Sequence, residues 1–293
     1  MKKLLLIDLS AVFHRSYNAL HRTTGGMTTS SGIPVTGTYG VLNTLFSILD
    51  KEKYESVIPC YDAGGNFRKK ESDSYKGTRE KKDMEFYADL SLLREEVFPA
   101  LGMTPVGANG WEADDVIATI SRNSPAYSEI HILTVDKDLL QLVGNKVKVI
   151  LFNSAKKVKT YGIDEVVEDM GVFPAEVKYL KSLWGDASDN IAGIKGVGKK
   201  TAIRIIEESR PKGEDEFLSG ADRIAFHPKV KEHAATFYAN LRLIDLGNDV
   251  PDLTWFASSS PIPAHVEALF EGLEMKSLLK RKGKILQTLG CSQ

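Results

Sequence analysis

Short apolar runs at 3–7, 56–61, 103–106, 129–135 and 147–151 punctuate the first half of the chain, with amphipathic stretches between them. The alternation predicts an α/β sheet built from those five strands. Apolar positions at helical spacing predict helices over 10–21, 38–50, 85–101 and 112–123. From about residue 164 the pattern turns mostly helical, with segments at 164–170, 174–185, 198–209, 229–246 and, in broken pieces, 263–282. Between the second strand and the next helix, residues 63–84 form a long polar insertion that opens Ala63-Gly64-Gly65-Asn66. Loops this long inside a compact domain are usually functional or mobile.

Three of the apolar runs end on an aspartate: Ile7-Asp8, Tyr61-Asp62 and Val135-Asp136. A parallel sheet gathers such residues at one edge, outside the carboxyl ends of its strands, where ligands bind. Glu112-Ala113-Asp114-Asp115 and Asp186-Ala187-Ser188-Asp189 fit the same picture, as does the spacing Asp136-x-Asp138. In the predicted helix, Glu112 and Asp115 are three apart and share a face, while Asp114 points more to the side. Two like charges 4 Å apart cost roughly 4 kcal/mol at an effective dielectric near 20, so this many carboxylates together call for divalent cations. A single aspartate after a strand is weak, because Asp also caps helices. The pattern as a set points to a metal-dependent enzyme.

Composition adds a polyanion to that picture. The 293 residues carry 42% hydrophobic and 26% charged side chains, the profile of an ordinary globular protein of one or two domains. The net charge of −1 conceals segregation. Residues 66–82 hold seven basic side chains (Arg68, Lys69, Lys70, Lys76, Arg79, Lys81, Lys82) against three acidic ones. Lys195, Lys199, Lys200 and Arg204 share 191–206 with no acid, and Lys276, Lys280, Arg281, Lys282 and Lys284 follow. Basic patches beside an acidic pocket suit a polyanion gripped by its phosphates while metals act on one of them. Cys60 and Cys291 belong to no CxxC pair, so a disulfide framework and a structural zinc are not expected, and a reducing cytoplasm is. Asp8 cuts the first apolar run too short for a signal peptide, and no run has the length of a membrane helix.

Gly193-Ile194-Lys195-Gly196-Val197-Gly198-Lys199-Lys200-Thr201 nearly matches a nucleotide-binding P-loop. That motif needs Ser or Thr directly after its lysine and a strand before it; here Lys200 and a predicted helix stand in those places. A hairpin between helices, whose glycines bring backbone N–H groups and lysines to a phosphate, fits better and holds duplex backbone without reading sequence. The six histidines show no triad arrangement, and His14, His21 and His131 read as packing or surface residues. Tyr75, beside Lys76 in the insertion, either stacks on an unpaired base or holds the insertion down.

These residues resemble the 5′-nuclease family of flap endonucleases and 5′–3′ exonucleases, which includes the exonuclease domain of bacterial DNA polymerase I and free-standing bacteriophage exonucleases. The resemblance rests on Leu6-Ile7-Asp8, Tyr61-Asp62-Ala63, Phe67-Arg68, Tyr75-Lys76-Gly77-Thr78-Arg79, Glu112 to Asp115, Thr134 to Asp138, Gly185 to Asn190 and Gly193 to Ala202, in the family's order over nearly the whole chain. It implies a PIN-like, mostly parallel central sheet flanked by helices, in an α/β domain over 1–163 with an arch at about 63–100. It also implies a helical DNA-binding subdomain over 164–293 with a helix–hairpin–helix (helix-three-turn-helix) at about 186–208, whose turn often holds K⁺. Two metal positions follow by motif: Asp62, Glu112, Asp114, Asp115 and Asp136 at the first, with Asp8 nearby, and Asp138, Asp186 and Asp189 at the second. The resemblance further implies Lys76 and Arg79 as catalytic residues, and DNA contacts from Arg68, Tyr75, Lys76, Arg79, Gly193, Lys195, Gly196, Gly198, Lys199 and Lys200. Pro59 and Cys60 depart from the family's apolar strand and predict an irregular one.

The expected function is two-metal hydrolysis of 5′-flap or 5′-ended duplex DNA in replication or repair, with Mg²⁺ or a substituting Mn²⁺, leaving 5′-phosphate and 3′-hydroxyl products. The rival on the same fold is ribonuclease H-like removal of RNA primers from RNA–DNA hybrids. A catalytically inert structure-specific binder and a P-loop NTPase are rivals of other classes. The expected setting is a cytoplasmic monomer with no membrane contact, in a bacterial or phage-infected cell, where any polymerase partner is a separate chain.

Overall fold

The computed structural model describes residues 2–77, 82–154, 157–211 and 218–291. Its sheet has the order β2-β1-β3-β4-β5, from β1 (Lys3–Asp8), β2 (Ser56–Cys60), β3 (Glu129–Thr134), β4 (Val147–Ser154) and β5 (Lys157–Tyr161). The first four strands run parallel and β5 is antiparallel. Asp8 pairs in register with Cys60, and Ile7 with Leu133, so Asp8, Asp62 and Asp136 leave the sheet at the same edge.

Helices α1 (Leu9–Thr24) and α2 (Thr36–Leu49) join β1 to β2. The insertion follows, with a short α3 (Phe67–Glu71) and a returning leg made of α4 (Met84–Leu92), a π-helical turn (Leu93–Val97) and α5 (Phe98–Ala100). α6 (Ala113–Arg122) leads into β3. After β5 come α7 (Ile163–Met170), α8 (Val177–Trp184), a two-residue ribbon of β6 (Gly185–Asp186) and β7 (Ile191–Ala192), then α9 (Lys199–Glu208), α10 (Gly220–Ala225) and α11 (Ala234–Ile244). The end of the chain folds as α12 (Pro263–Gly272), α13 (Lys276–Leu279) and α14 (Lys282–Thr288).

Side chains of a strand alternate between faces, and β1 shows the result. Leu4 and Leu6 join a core with α6, α8, α9 and α11, whereas Leu5 and Ile7 join a second core with α1, α2, α4 and α12. Helices α6, α8, α9 and α11 thereby cover one face of the sheet, and α1, α2, α4 and α12 cover the other.

Four local expectations change. Residues 103–106 form no strand; only Val106 bridges to Cys60, where Val106 N–H donates to the Pro59 carbonyl at 2.8 Å. β2 is regular and buried despite Pro59, because it is an edge strand. The Pro59 carbonyl faces away from β1 toward Val106, and the ring nitrogen, which shares its side, costs the ladder no donor. The helix expected over 85–101 is interrupted by the π turn. β5 is an addition: Lys157 and Lys159 alternate with Val158 and Thr160 along it, and lysines are common on edge strands.

The returning leg is pinned by Asp89, fully buried, whose carboxylate accepts from the backbone N–H groups of Gly37 (2.6 Å) and Thr38 (3.1 Å) at the start of α2. Asp89→Ala strands two buried donors and should cost about 1–3 kcal/mol in urea unfolding. Amide exchange should speed up at Gly37 and Thr38, and unchanged protection there would refute the pinning role.

Candidate metal centre

Asp8 ends β1 and caps α1, accepting from Ala11 N–H at 3.1 Å and from the Thr134 hydroxyl at 2.6 Å. Burial, with added repulsion from Asp62 and Asp136, outweighs those hydrogen bonds and pushes its carboxyl up to about 7. Asp62, one residue beyond Tyr61, accepts from Ala113 N–H (2.8 Å) at the first turn of α6, where the helix dipole favours an anion. Asp136 accepts from Asp138 N–H (2.8 Å) and donates its own N–H to the Thr134 hydroxyl (3.0 Å). Burial raises the Asp136 carboxyl; Lys181 opposes the rise, and Asp189 and Asp186 add to it. The Asp114 carboxyl is held well above the usual range by burial and then by the charges of Asp8 and Asp136.

The remaining acids meet the protein's own cations. Arg68 is 1% exposed and forms a bidentate pair with Asp115 (2.6 and 2.7 Å), reaches Glu112 at 3.3 Å and donates from Nε to the Leu243 carbonyl at 2.7 Å. Lys76 Nζ lies 2.5 Å from Glu112 and 3.7 Å from Asp189, and its backbone N–H donates to the Asp189 carbonyl. The buried Tyr75 hydroxyl sits 2.9 Å from Glu112 and 3.1 Å from Asp189. Lys181 bridges Asp138 and Asp186, the latter at 2.6 Å. Burial would raise the Asp186 carboxyl, but Lys181 and Ser188 bring it below the usual range.

All nine predicted acids are therefore brought together through contacts or mutual charge, Asp62 by its repulsion of Asp8 and its bond from Ala113 N–H. Arg68 does not face solvent as a DNA-contacting residue must: as a full charge inside the fold, it requires the Asp115 carboxylate beside it. Tyr75 is likewise buried and holds the insertion down, since its hydroxyl is taken by two carboxylates. Arg79 lies outside the described residues. Lys181 is a functional candidate that the sequence reasoning passed over; its signal was a lysine among Val177, Leu180 and Leu183 on the buried face of α8.

The glycine hairpin follows the β6–β7 ribbon. Gly193 presses on the Trp184 backbone, where an added Cβ would stand 2.1 Å from a carbonyl oxygen, and Gly196 adopts φ 78°, a left-handed conformation suited to glycine. Ile194 and Val197 anchor the turn inward, leaving Lys195 and Lys200 exposed and Gly198 at the start of α9. Lys199 turns back to the Asp169 carbonyl at 3.1 Å, so it does not join them.

Among the described residues a separate trio, Glu52, Glu129 and His131, lies at the opposite edge, where β3 begins. Lys3 and Lys148 already pair with Glu129, so that trio is a balanced ion-pair network and no part of this centre.

A hard, all-oxygen donor set fits Mg²⁺ or Mn²⁺. Without a divalent cation, carboxyls whose folded values are raised bind protons more tightly in the folded state, so their contribution to stability is greatest in acid and is lost as pH rises. For Asp8, raised from 3.8 to about 7, the loss amounts to about 4 kcal/mol across that window. The rise in melting temperature produced by MgCl₂ should therefore grow from pH 5 to pH 8. A pH-independent rise would refute the assignment of these acids to a cation.

Two family models match the chain: the "5′-3′ exonuclease, N-terminal resolvase-like domain" over residues 3–171 and the "5′-3′ exonuclease, C-terminal SAM fold" over residues 172–259. A 5′-3′ exonuclease of Bacillus subtilis is 35% identical over 210 residues, covering 70% of each chain. The thermostable DNA polymerase I of Thermus thermophilus is 31% identical over 287 residues, 96% of this chain; the match spans about a third (33%) of the polymerase's length. Among solved structures, the T5 D15 protein co-crystallised with metal ions superposes with a TM-score of 0.64 at 19% identity, covering 98% of this chain and 100% of that one. Human GEN1 in complex with Holliday junction DNA gives 0.62 at 17%, covering 98% and 72%. Matched along both halves and carrying its acids where four strand ends and two helix starts converge, the chain belongs to the 5′-3′ exonuclease family.

Proposed function

We propose that this chain hydrolyses phosphodiester bonds at the junction of a 5′ single strand with duplex DNA, releasing 5′-phosphate and 3′-hydroxyl ends. The observation that carries this reading is the meeting of the acid cluster with the foot of the insertion: Lys76, Tyr75 and Arg68 all touch carboxylates of the centre. Asp8, Asp62, Glu112, Asp114, Asp115 and Asp136 would hold one divalent ion, and Asp138, Asp186 and Asp189 a second. When bound, Mg²⁺ or Mn²⁺ supplies the positive charge that polarises the scissile phosphate and acidifies an attacking water.

Lys76 contributes a charge that can leave Glu112 for a phosphate oxygen. Its position is set by a left-handed backbone (φ 52°) tied to the Asp189 carbonyl. Arg79 shares this role by motif. Lys195 and Lys200, with the backbone of Gly193, Gly196 and Gly198, grip duplex phosphates electrostatically, and the turn is a candidate for K⁺. The match to polymerase I chains supports work beside a DNA polymerase in primer or flap removal, and the proposed setting is a cytoplasmic monomer.

A 5′-labelled flap incubated with Mg²⁺ should be cut at its base; products cut from the 3′ end, or none, would overturn the reading. Asp136→Asn should abolish cleavage and leave flap binding within a few-fold, as gel shift or anisotropy would report. Lys76→Ala should lower kcat about 100- to 1,000-fold with little change in KM, the scale of losing one charge-stabilising donor. An unchanged kcat would remove Lys76 from the chemistry.

A further inference from the structure

A cavity of about 360 Å³ opens beside the metal centre, where β2 gives way to the insertion. Tyr61, Ala63, Arg94, Glu95, Pro105 and Asn109 line it. Tyr61 and Ala63 are the chain neighbours of Asp62, so the cavity wall and the edge of the centre are one residue apart. Ala63 begins the insertion, and Arg94 lies on its returning leg. The cavity therefore sits between the two feet of the arch, and a strand passing between them with a phosphate at Asp62 brings its next nucleotide here.

Two of the lining side chains pack on their neighbours. The Tyr61 ring packs so tightly on Gly107 that an added Cβ would stand 2.7 Å from it. On the cavity side, the Arg94 guanidinium lies 4.8 Å from the centre of the Tyr61 ring. Arg94 belongs to the π turn Leu93–Val97, and such turns recur at functional sites. Among the described residues it also pairs with Glu95, on the cavity rim. A phosphate would meet the Glu95 carboxylate, which argues against an anion as occupant. A nucleobase meets a flat cation to stack on and, from Asn109 and Glu95, both donors and acceptors for its edge. The volume lies at the low end for small-molecule pockets and suits one base.

We propose that this cavity receives the base of the first unpaired nucleotide of the 5′ strand, stacked on Arg94 and bonded at its edge by Asn109. The proposal rests on the nuclease reading above for the path of the strand, and its test does not depend on cleavage. The full chain is mixed, with Ca²⁺ in place of Mg²⁺, with flap DNA carrying 2-aminopurine at the first or the third unpaired position. Stacking should quench fluorescence several-fold at the first position and little at the third. Arg94→Ala and Asn109→Ala should each restore most of the fluorescence while duplex affinity, followed by anisotropy, stays within about 5-fold, since base stacking is worth about 1–3 kcal/mol but duplex grip lies elsewhere. Arg94→Lys, which keeps the charge and loses the plane, should not recover the quench. Equal fluorescence at both positions, or a quench that survives Arg94→Ala, would overturn the proposal. A quench without cleavage in Mg²⁺ would uphold the cavity and refute the nuclease reading, whereas cleavage without a quench would do the reverse.

Discussion

Mutual repulsion among carboxylates crowded at one edge of the sheet is the constraint that the surrounding structure answers. Asp8, Asp114 and Asp136 respond by holding protons more tightly, and Glu112, Asp115, Asp138, Asp186 and Asp189 by recruiting Arg68, Lys76 and Lys181. The recruited cations come from distant parts of the chain: Arg68 and Lys76 from the foot of the insertion, and Lys181 from α8. The acid cluster thus organises the tertiary structure as well as the chemistry. The arch and the later helices are pulled against the sheet by the charges that make the centre.

The two kinds of response differ in what they allow. A proton on Asp8 leaves when a stronger positive charge arrives, with no movement of the chain. Arg68 cannot leave so easily, because its Nε also serves the Leu243 carbonyl and the side chain is sealed from solvent. Lys76 and Lys181 stand between these extremes, being flexible single charges with a shorter list of partners.

Much of this was legible in the sequence because strand-end aspartates and helix-start acids obey local rules. β1, β3 and α6 fall within a residue or so of their periodicity, and the register of β1 carries Asp8 to its place. What escaped depends on distant partners. Arg68 looks like any other basic residue of a polar insertion until Asp115 is folded over it. Lys181 looks like a misplaced charge on an apolar face until Asp138 and Asp186 arrive from either side. The π turn has no periodic signature, since only the three residues of α5 follow it, too few to display the turn of about 100° that one extra residue brings. β5 was missed because its lysines mask a short alternation, and the regular β2 because the harm done by Pro59 depends on which side of the strand is paired.

The bond from Arg68 to the Leu243 carbonyl joins residues 175 apart in sequence, and it has a consequence for biosynthesis. Leu243 lies at the end of α11, so a nascent chain leaves the ribosome with its acids complete and this acceptor still to come. Until α11 docks, burying Arg68 against Asp115 would leave a guanidinium N–H unsatisfied, at a cost that disfavours closing the site. Assembly of the centre is thereby coupled to the arrival of one of the later helices, and a half-made chain lacks the closed acid centre.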